Sequence, residues 1–259
     1  MRIWYQSFTD PDVHGAYLER LSAYLDEIGG EGTEFRIVGV QPSAAAVHRV
    51  TEMRCTLQVL DLGVGAERDG FDAVVVGHFQ DSGVVELRCS LDIPVVGMGE
   101  ASILHALTLG RTFGLVTIDS LFADWHREQV DRIGVRDRLT GISVLAMSPE
   151  ELVGAFEDES AYAGLLRTFR REAQRLVDAG AEVIVPAGGL FGLLSAGERS
   201  FRVGDAVVLN PIAVSIRAAE VAVWLKRHNG LTTSRAGAYA KPPPLALEQA
   251  SALARGVPS

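Results

Sequence analysis

The sequence predicts an α/β fold of two similar halves, each a parallel sheet with helices on both faces. Three observations carry this. Apolar runs such as "AVVVG" (73–77) and "EVIVPA" (182–187) lack the alternation of half-exposed strands, as expected for strands covered on both sides. Such runs alternate with longer helical segments, the βαβ pattern of parallel sheets with right-handed crossovers. The chain also echoes itself. "FDAVVVGHF" (71–79) returns as "AEVIVPAGG" (181–189), and "DIPVVGMGEASILHA" (92–106) as "DAVVLNPIAVSIRAA" (205–219). Asp12-Val13-His14 returns as Asp124-Trp125-His126, and all three pairs keep nearly one offset.

In chain order, strands are expected over 2–7, 34–40, 73–77, 94–97, 112–117, 141–145, 183–186 and 206–209. Helices are expected over 14–28, 44–65, 103–110, 123–133, 161–179 and 215–228. The echoes group these into two halves related by a pseudo-twofold. The first half takes residues 1–100 plus 215–259, with the C-terminal helix and tail. The second takes residues 101–214. The tail "SRAGAYAKPPP" (234–244) cannot be helical through Pro242–Pro244. It reads as a disordered end, or as an arm over a neighbour or the cleft. Its Arg235, Tyr239 and Lys241 could meet an anionic substrate, and Arg202 and Arg217 are further cations.

The 259 residues, 47% of them hydrophobic, suffice for one large or two small cores. A net charge of -9 argues against nucleic acid and against anionic membrane. Cys55 and Cys89 show no metal or redox spacing and read as buried structural thiols. A cytoplasmic protein with reduced thiols is expected. The start "MRIWYQSFTD" is too polar for a signal peptide, and no apolar run approaches the ~20 residues of a membrane helix.

Ligands of parallel sheets bind beyond the carboxyl ends of the strands. The strand-end loops of both halves are expected to face an interdomain cleft. His78 stands where an apolar strand stops, with Asp81 three residues on. Ser7, Thr9, Thr117 and Ser120 precede helices, where free N–H groups receive carboxylates. Each is equally a helix-capping hydroxyl. The loop of Glu100 and Ser102 pairs with that of Asn210 and Ser215, and His78 pairs with Gly188.

The stretch "FDAVVVGHFQDSGVVELRCSLDIPVVGMGEASILHALTLGRTFGLVT" (71–117) resembles the aspartate/glutamate racemase superfamily, nearest its hydantoin racemase branch. That branch reads G-C-F-x-D-P-G followed by G-[IM]-x-E-A at these positions. "GAEVIVPAGGLFG" (180–192) is similar to its G-A-[DE]-x-[IV]-[IV]-L-G-C-A-G. The resemblance runs to about residue 225. It implies two Rossmann-like (flavodoxin-like) halves, a site between them, and a homo-oligomer. It also implies two cysteines that exchange protons on opposite faces of the substrate. This chain has His78 at the first cysteine position and Gly188 at the second, so the two-thiol mechanism does not transfer.

Imidazole titrates near neutrality and suits acid–base work. The expected chemistry is therefore cofactor-independent proton transfer, of isomerase or lyase type, on a small carboxylate or cyclic amide. His78 would be the acid–base group, with Asp81 or Glu100 in support. The Gly188-Gly189 backbone would face a developing oxyanion. One alternative gathers His14, His78 and His126, with Glu100, around a divalent metal such as zinc, giving a hydrolase of a small amide or imide. Against that alternative, Asp12 and Asp124 read as helix caps, with His14 and His126 on the first turns. Another alternative is a non-catalytic module that binds small acids. His48, His105 and His228 read as helix-surface or packing residues.

Overall fold

The computed structural model describes residues 1–43, 46–156 and 158–256. The chain divides into two compact units, Met1–Met98 with Ser215–Ser259, and Gly99–Val214.

The first unit runs β1 (Arg2–Gln6), α1 (Gly15–Ile28), β2 (Glu34–Val38), α2 (Arg49–Gly63), β3 (Ala73–Val76), α3 (Val84–Ser90) and β4 (Val95–Gly97). Its strands lie in the order β2-β1-β3-β4, all parallel. Trp4, Val74 and Val76 point to one face, where they join Cys55 and Val59 of α2 and Leu87 of α3. Strand alternation sends Ile3, Tyr5 and Val75 to the other face, and these too are fully buried. Burial on both faces explains the unbroken apolar runs.

The second unit contains α4 (Met98–Leu109), β5 (Phe113–Thr117), α5 (Ser120–Ile133), β6 (Leu139–Val144), α6 (Pro149–Gly154) and α7 (Glu159–Asp178). It continues through β7 (Val183–Pro186), α8 (Gly189–Ala196), β8 (Arg202–Val203) and β9 (Ala206–Val208). α9 (Pro211–Asn229) then leads back into the first unit. The strand order is β6-β5-β7-β9-β8, parallel except for the β8–β9 hairpin. Without that hairpin strand, the second sheet repeats the connectivity of the first. The repeat is one of topology, and it underlies the echoes at β3/β7 and β4/β9.

Three short helices, α3, α6 and α8, were not legible in the pattern. They have 7, 6 and 8 residues, at most two turns. α8, "GLFGLLSA", is also apolar all round, so it carries no periodic stripe. The expected helix over 44–65 is found from Arg49, and residues 44 and 45 lie outside the described residues. The helix expected at 123 begins at Ser120, because Asp119 caps it: its Oδ1 accepts the Leu121 N–H at 2.7 Å. Asp124 therefore caps nothing there. His14 is itself the residue before α1, whereas His126 lies in the second turn of α5. The two histidines are not structural equivalents.

The C-terminal segment is folded onto its own unit. α10 (Pro244–Ala254) starts at the last of the three prolines, a first-turn position that needs no N–H. It packs along α2. Arg255 grips Asp61 with two bonds of 2.9 and 2.8 Å. Arg235 donates to the carbonyls of Arg88 (2.7 Å), Tyr239 (2.9 Å) and Leu91, and to Asp92 Oδ1 at 2.6 Å. Lys241 also holds Asp92. The guanidinium of Arg88 lies 5.8 Å from the Tyr239 ring. The arm's cations thus neutralise Asp92 and the α3 carboxyl end, which corrects the expectation of an anion-facing or disordered tail. Arg202 and Arg217 are likewise structural: they donate to the carbonyls of Asp205 (2.8 Å) and Ile28 (2.6 Å). Cys55 is buried as expected. Cys89 is only half-buried, with its sulfur 3.5 Å from the Ala238 carbonyl in the arm.

Arg235→Ala removes the side chain that makes several of the bonds between the arm and the end of α3. The side chain is 29% exposed, which tempers the loss. Urea unfolding is expected to show a drop of about 2 kcal/mol, the scale of charge-assisted hydrogen bonds left unmade.

Candidate active site

In the first sheet, the chain runs from β1 to β2 on one side and then to β3 on the other. The crevice at such a reversal, outside the carboxyl ends, is where parallel sheets bind ligands. The loops leaving β1 and β3 meet there. The Phe8 ring stacks on the His78 ring at 4.0 Å and 10°. Gly77 precedes His78, and the Tyr5 ring occupies the space its side chain would need.

The partner of His78 comes from α2. Glu52 lies in the first turn of that helix, where the macrodipole favours a carboxylate. Its Oε1 is 2.8 Å from His78 Nε2, and both side chains are more than four-fifths buried. The Ser82 hydroxyl donates to the same Oε1. Burial pushes the Glu52 carboxyl up. The charge of His78 and the hydrogen bonds of His78 and Ser82 outweigh it and hold the group below the ordinary carboxylate range.

A depressed carboxyl stabilises the fold fully above its unfolded pKa, near 4.5 here, and loses that contribution as pH falls through the folded value. Wild-type stability is therefore expected to decline below about pH 4.5. Glu52→Gln should show a flatter profile in that window by urea unfolding at stepped pH.

Asp81 is held in the turn that follows His78. It has a left-handed backbone (φ 59°), with its N–H on the His78 carbonyl at 3.0 Å and its own carbonyl accepting from Val84 at 3.1 Å. Asp tolerates that turn conformation. Its carboxylate lies over Gly97 at the end of β4. The carboxylate set on the imidazole Nε2 is that of Glu52, which the sequence did not reveal. Nothing in its spacing marks Glu52 out; it stands in the first turn of α2, facing the strand-end loop of His78.

Ser7 is buried, and its hydroxyl is 2.7 Å from that of Thr9. The Thr9 N–H also donates to Ser7 Oγ at 3.3 Å. These hydroxyls fix the loop that presents Phe8 to His78.

Glu100, Thr117, Ser120, His126, Gly188 and Gly189 belong to the second unit. Glu100 lies in the first turn of α4. Ser120 is the exposed first residue of α5. Thr117 is fully buried, with Oγ1 3.4 Å from His126 Nε2, and His126 Nδ1 is 3.3 Å from Gln129 Oε1. Thr117 and His126 thus form an internal polar pair, away from solvent, which corrects their readings as anion contact and metal ligand. Among the described residues no three His, Cys, Asp or Glu side chains group as a metal centre. Gly188, at the reversal between β5 and β7, precedes α8 with φ 153° and ψ 156°. Nothing lies within 4 Å of where its Cβ would be, yet that conformation is essentially restricted to glycine. Asn210 ties α9 down: its Oδ1 accepts from Ala213 at 3.1 Å and its Nδ2 donates to the Gly192 carbonyl at 3.2 Å.

Comparison with known proteins decides the lineage. The profile of the Asp/Glu/hydantoin racemase family matches residues 15–219. The chain belongs to this family. It is 28% identical to the hydantoin racemase of Paenarthrobacter aurescens over 236 residues, covering 90% of this chain and 95% of that one. The allantoin racemase of Pseudomonas fluorescens superposes with a TM-score of 0.78 at 25% identity, covering 94% of this chain and 98% of that one. The allantoin racemase of Klebsiella pneumoniae gives 0.79 at 22%, with 93% and 94% covered, and bears on the fold alone. The protein is an enzyme of the racemase and isomerase superfamily. Among the described residues of this racemase-family chain no helix is long and apolar enough to cross a membrane.

Proposed function

We propose that this racemase-family enzyme transfers a proton at the acidic C–H of a small cyclic amide or carboxylate. In this reading it needs no cofactor, and His78 is the acid–base group. The supporting observation is the Glu52–His78 contact at the carboxyl ends of the first sheet. An imidazole set against a buried carboxylate can accept a proton without stranding an unpaired charge. The names of the relatives, hydantoin and allantoin racemases, favour cyclic amides as the first substrates to test. Ser82 is not an activated nucleophile, because its hydroxyl is committed to Glu52 rather than to the imidazole.

The resemblance that aligns His78 with one cysteine aligns Gly188 with the other. A side chain at 188 is opposed by the backbone rather than by neighbours. The proposed reaction therefore works on one face of the substrate carbon. Gly188→Cys is expected to destabilise by about 1–3 kcal/mol through strained dihedrals. Where the variant folds, its thiol stands, in this reading, on the face opposite His78 and is expected to permit racemisation that the wild type does not perform. Chiral chromatography of an incubated enantiopure 5-substituted hydantoin checks this, and rapid loss of optical purity with the wild type would contradict the one-face reading.

A further inference from the structure

Resting on the acid–base reading of His78, we infer that Glu52 is the positioning residue of the reaction and that Ser82 holds Glu52 in place. Nothing in the resemblance supplies this role, because a thiol needs no ring orientation. An imidazole does: it has two nitrogens, and only one can face the substrate. Glu52 Oε1 sits 2.8 Å from Nε2, an ion-pair contact whose negative charge favours the proton on that nitrogen. The basic lone pair is then on Nδ1. Phe8, stacked flat on the ring at 4.0 Å, fixes its plane. Two contacts thus set rotation and tilt together.

The step balances simply. The substrate C–H bond breaks and its electron pair delocalises into the adjacent carbonyl. The proton goes to Nδ1, and the imidazolium so formed lies against the Glu52 carboxylate. Return of the proton to the carbon restores the neutral ring. Ionised Glu52 acts in every turnover without touching substrate. Ser82 donates to the same oxygen that meets the ring, so its hydroxyl keeps the carboxylate from swinging away.

The test uses the full chain and exchange of the acidic C–H of enantiopure 5-substituted hydantoins for deuterium in D2O. Glu52→Gln is expected to lower kcat about 100-fold with KM nearly unchanged, since the loss falls on the transition state. In ¹⁵N-histidine-labelled wild type, a low-field N–H proton resonance should correlate with His78 Nε2, and Glu52→Gln should abolish it. Wild-type kcat in a folded Glu52→Gln variant overturns the inference. So does a rise in KM alone, which would make Glu52 a substrate contact. Should Glu52→Gln not fold, Ser82→Ala carries the test. A fall of about 5-fold in kcat at constant KM is expected there, on the scale of one lost hydrogen bond, and an unchanged kcat overturns the inference. Full activity in His78→Ala would instead sink the parent reading, while the Nε2 resonance still reports the pairing.

Discussion

His78→Ala is expected to lower deuterium exchange into substrate by about 10³-fold, within the range of a lost general acid–base group. At the first sheet's reversal His78 is the imidazole that meets a buried carboxylate, Glu52, at 2.8 Å. The ring is 18% exposed, so it is held by its neighbours yet open to one side. Its removal takes away the ring packed against Glu52 and Phe8, and some stability is lost as well. Thermal melts must therefore accompany the kinetics. A folded His78→Ala variant with more than a tenth of wild-type turnover would remove the imidazole from the mechanism. His78→Gln should be equally inactive, because it keeps a polar group of similar reach but no titratable nitrogen.

The second large effect is on stability. Gly77→Ala should cost about 3 kcal/mol, the upper part of the range for overpacking a close-packed site. The new methyl would overlap the Tyr5 ring. Tyr5 is fully buried between β1 and its covering helices and has no room to withdraw. Burial, then the neighbouring Tyr17, push its phenol well above the ordinary range, so the hydroxyl stays protonated. At this chain length the melting temperature should fall by roughly 6–12 °C. Activity should fall too, because the methyl would push on the turn that carries His78. A Gly77→Ala melt within 2 °C of wild type, on the same scale, would show that the β3 end is looser than its packing implies.

The fold was legible because its signals are redundant. Runs such as Ala73–Val76 and Val183–Pro186 are apolar on both faces, and the chain repeats them in order. Helix starts were less legible. Asp119 stops the strand-end loop and caps α5 by one side-chain bond, while Asp124, five residues later, is an ordinary surface acid of the same type. The echo between His14 and His126 was misleading for that reason. The tail was misread because its three prolines mark both the end of an arm and the first turn of α10. At the site, His78 was visible as a polar residue ending an apolar strand. Glu52 was not, since it is one of 33 acidic residues and only the packing of α2 on the strand ends sets it against His78. Thr117 looked like a loop hydroxyl, but its strand delivers it inward to His126.

The stereochemistry of deuterium uptake is the sharpest probe of the proposed chemistry. An enantiopure 5-substituted hydantoin incubated with enzyme in D2O is followed by NMR and chiral chromatography together. One imidazole working on one face predicts label at the acidic carbon with configuration retained. Label that appears only with inversion would require a second base on the opposite face and would contradict the mechanism proposed for His78.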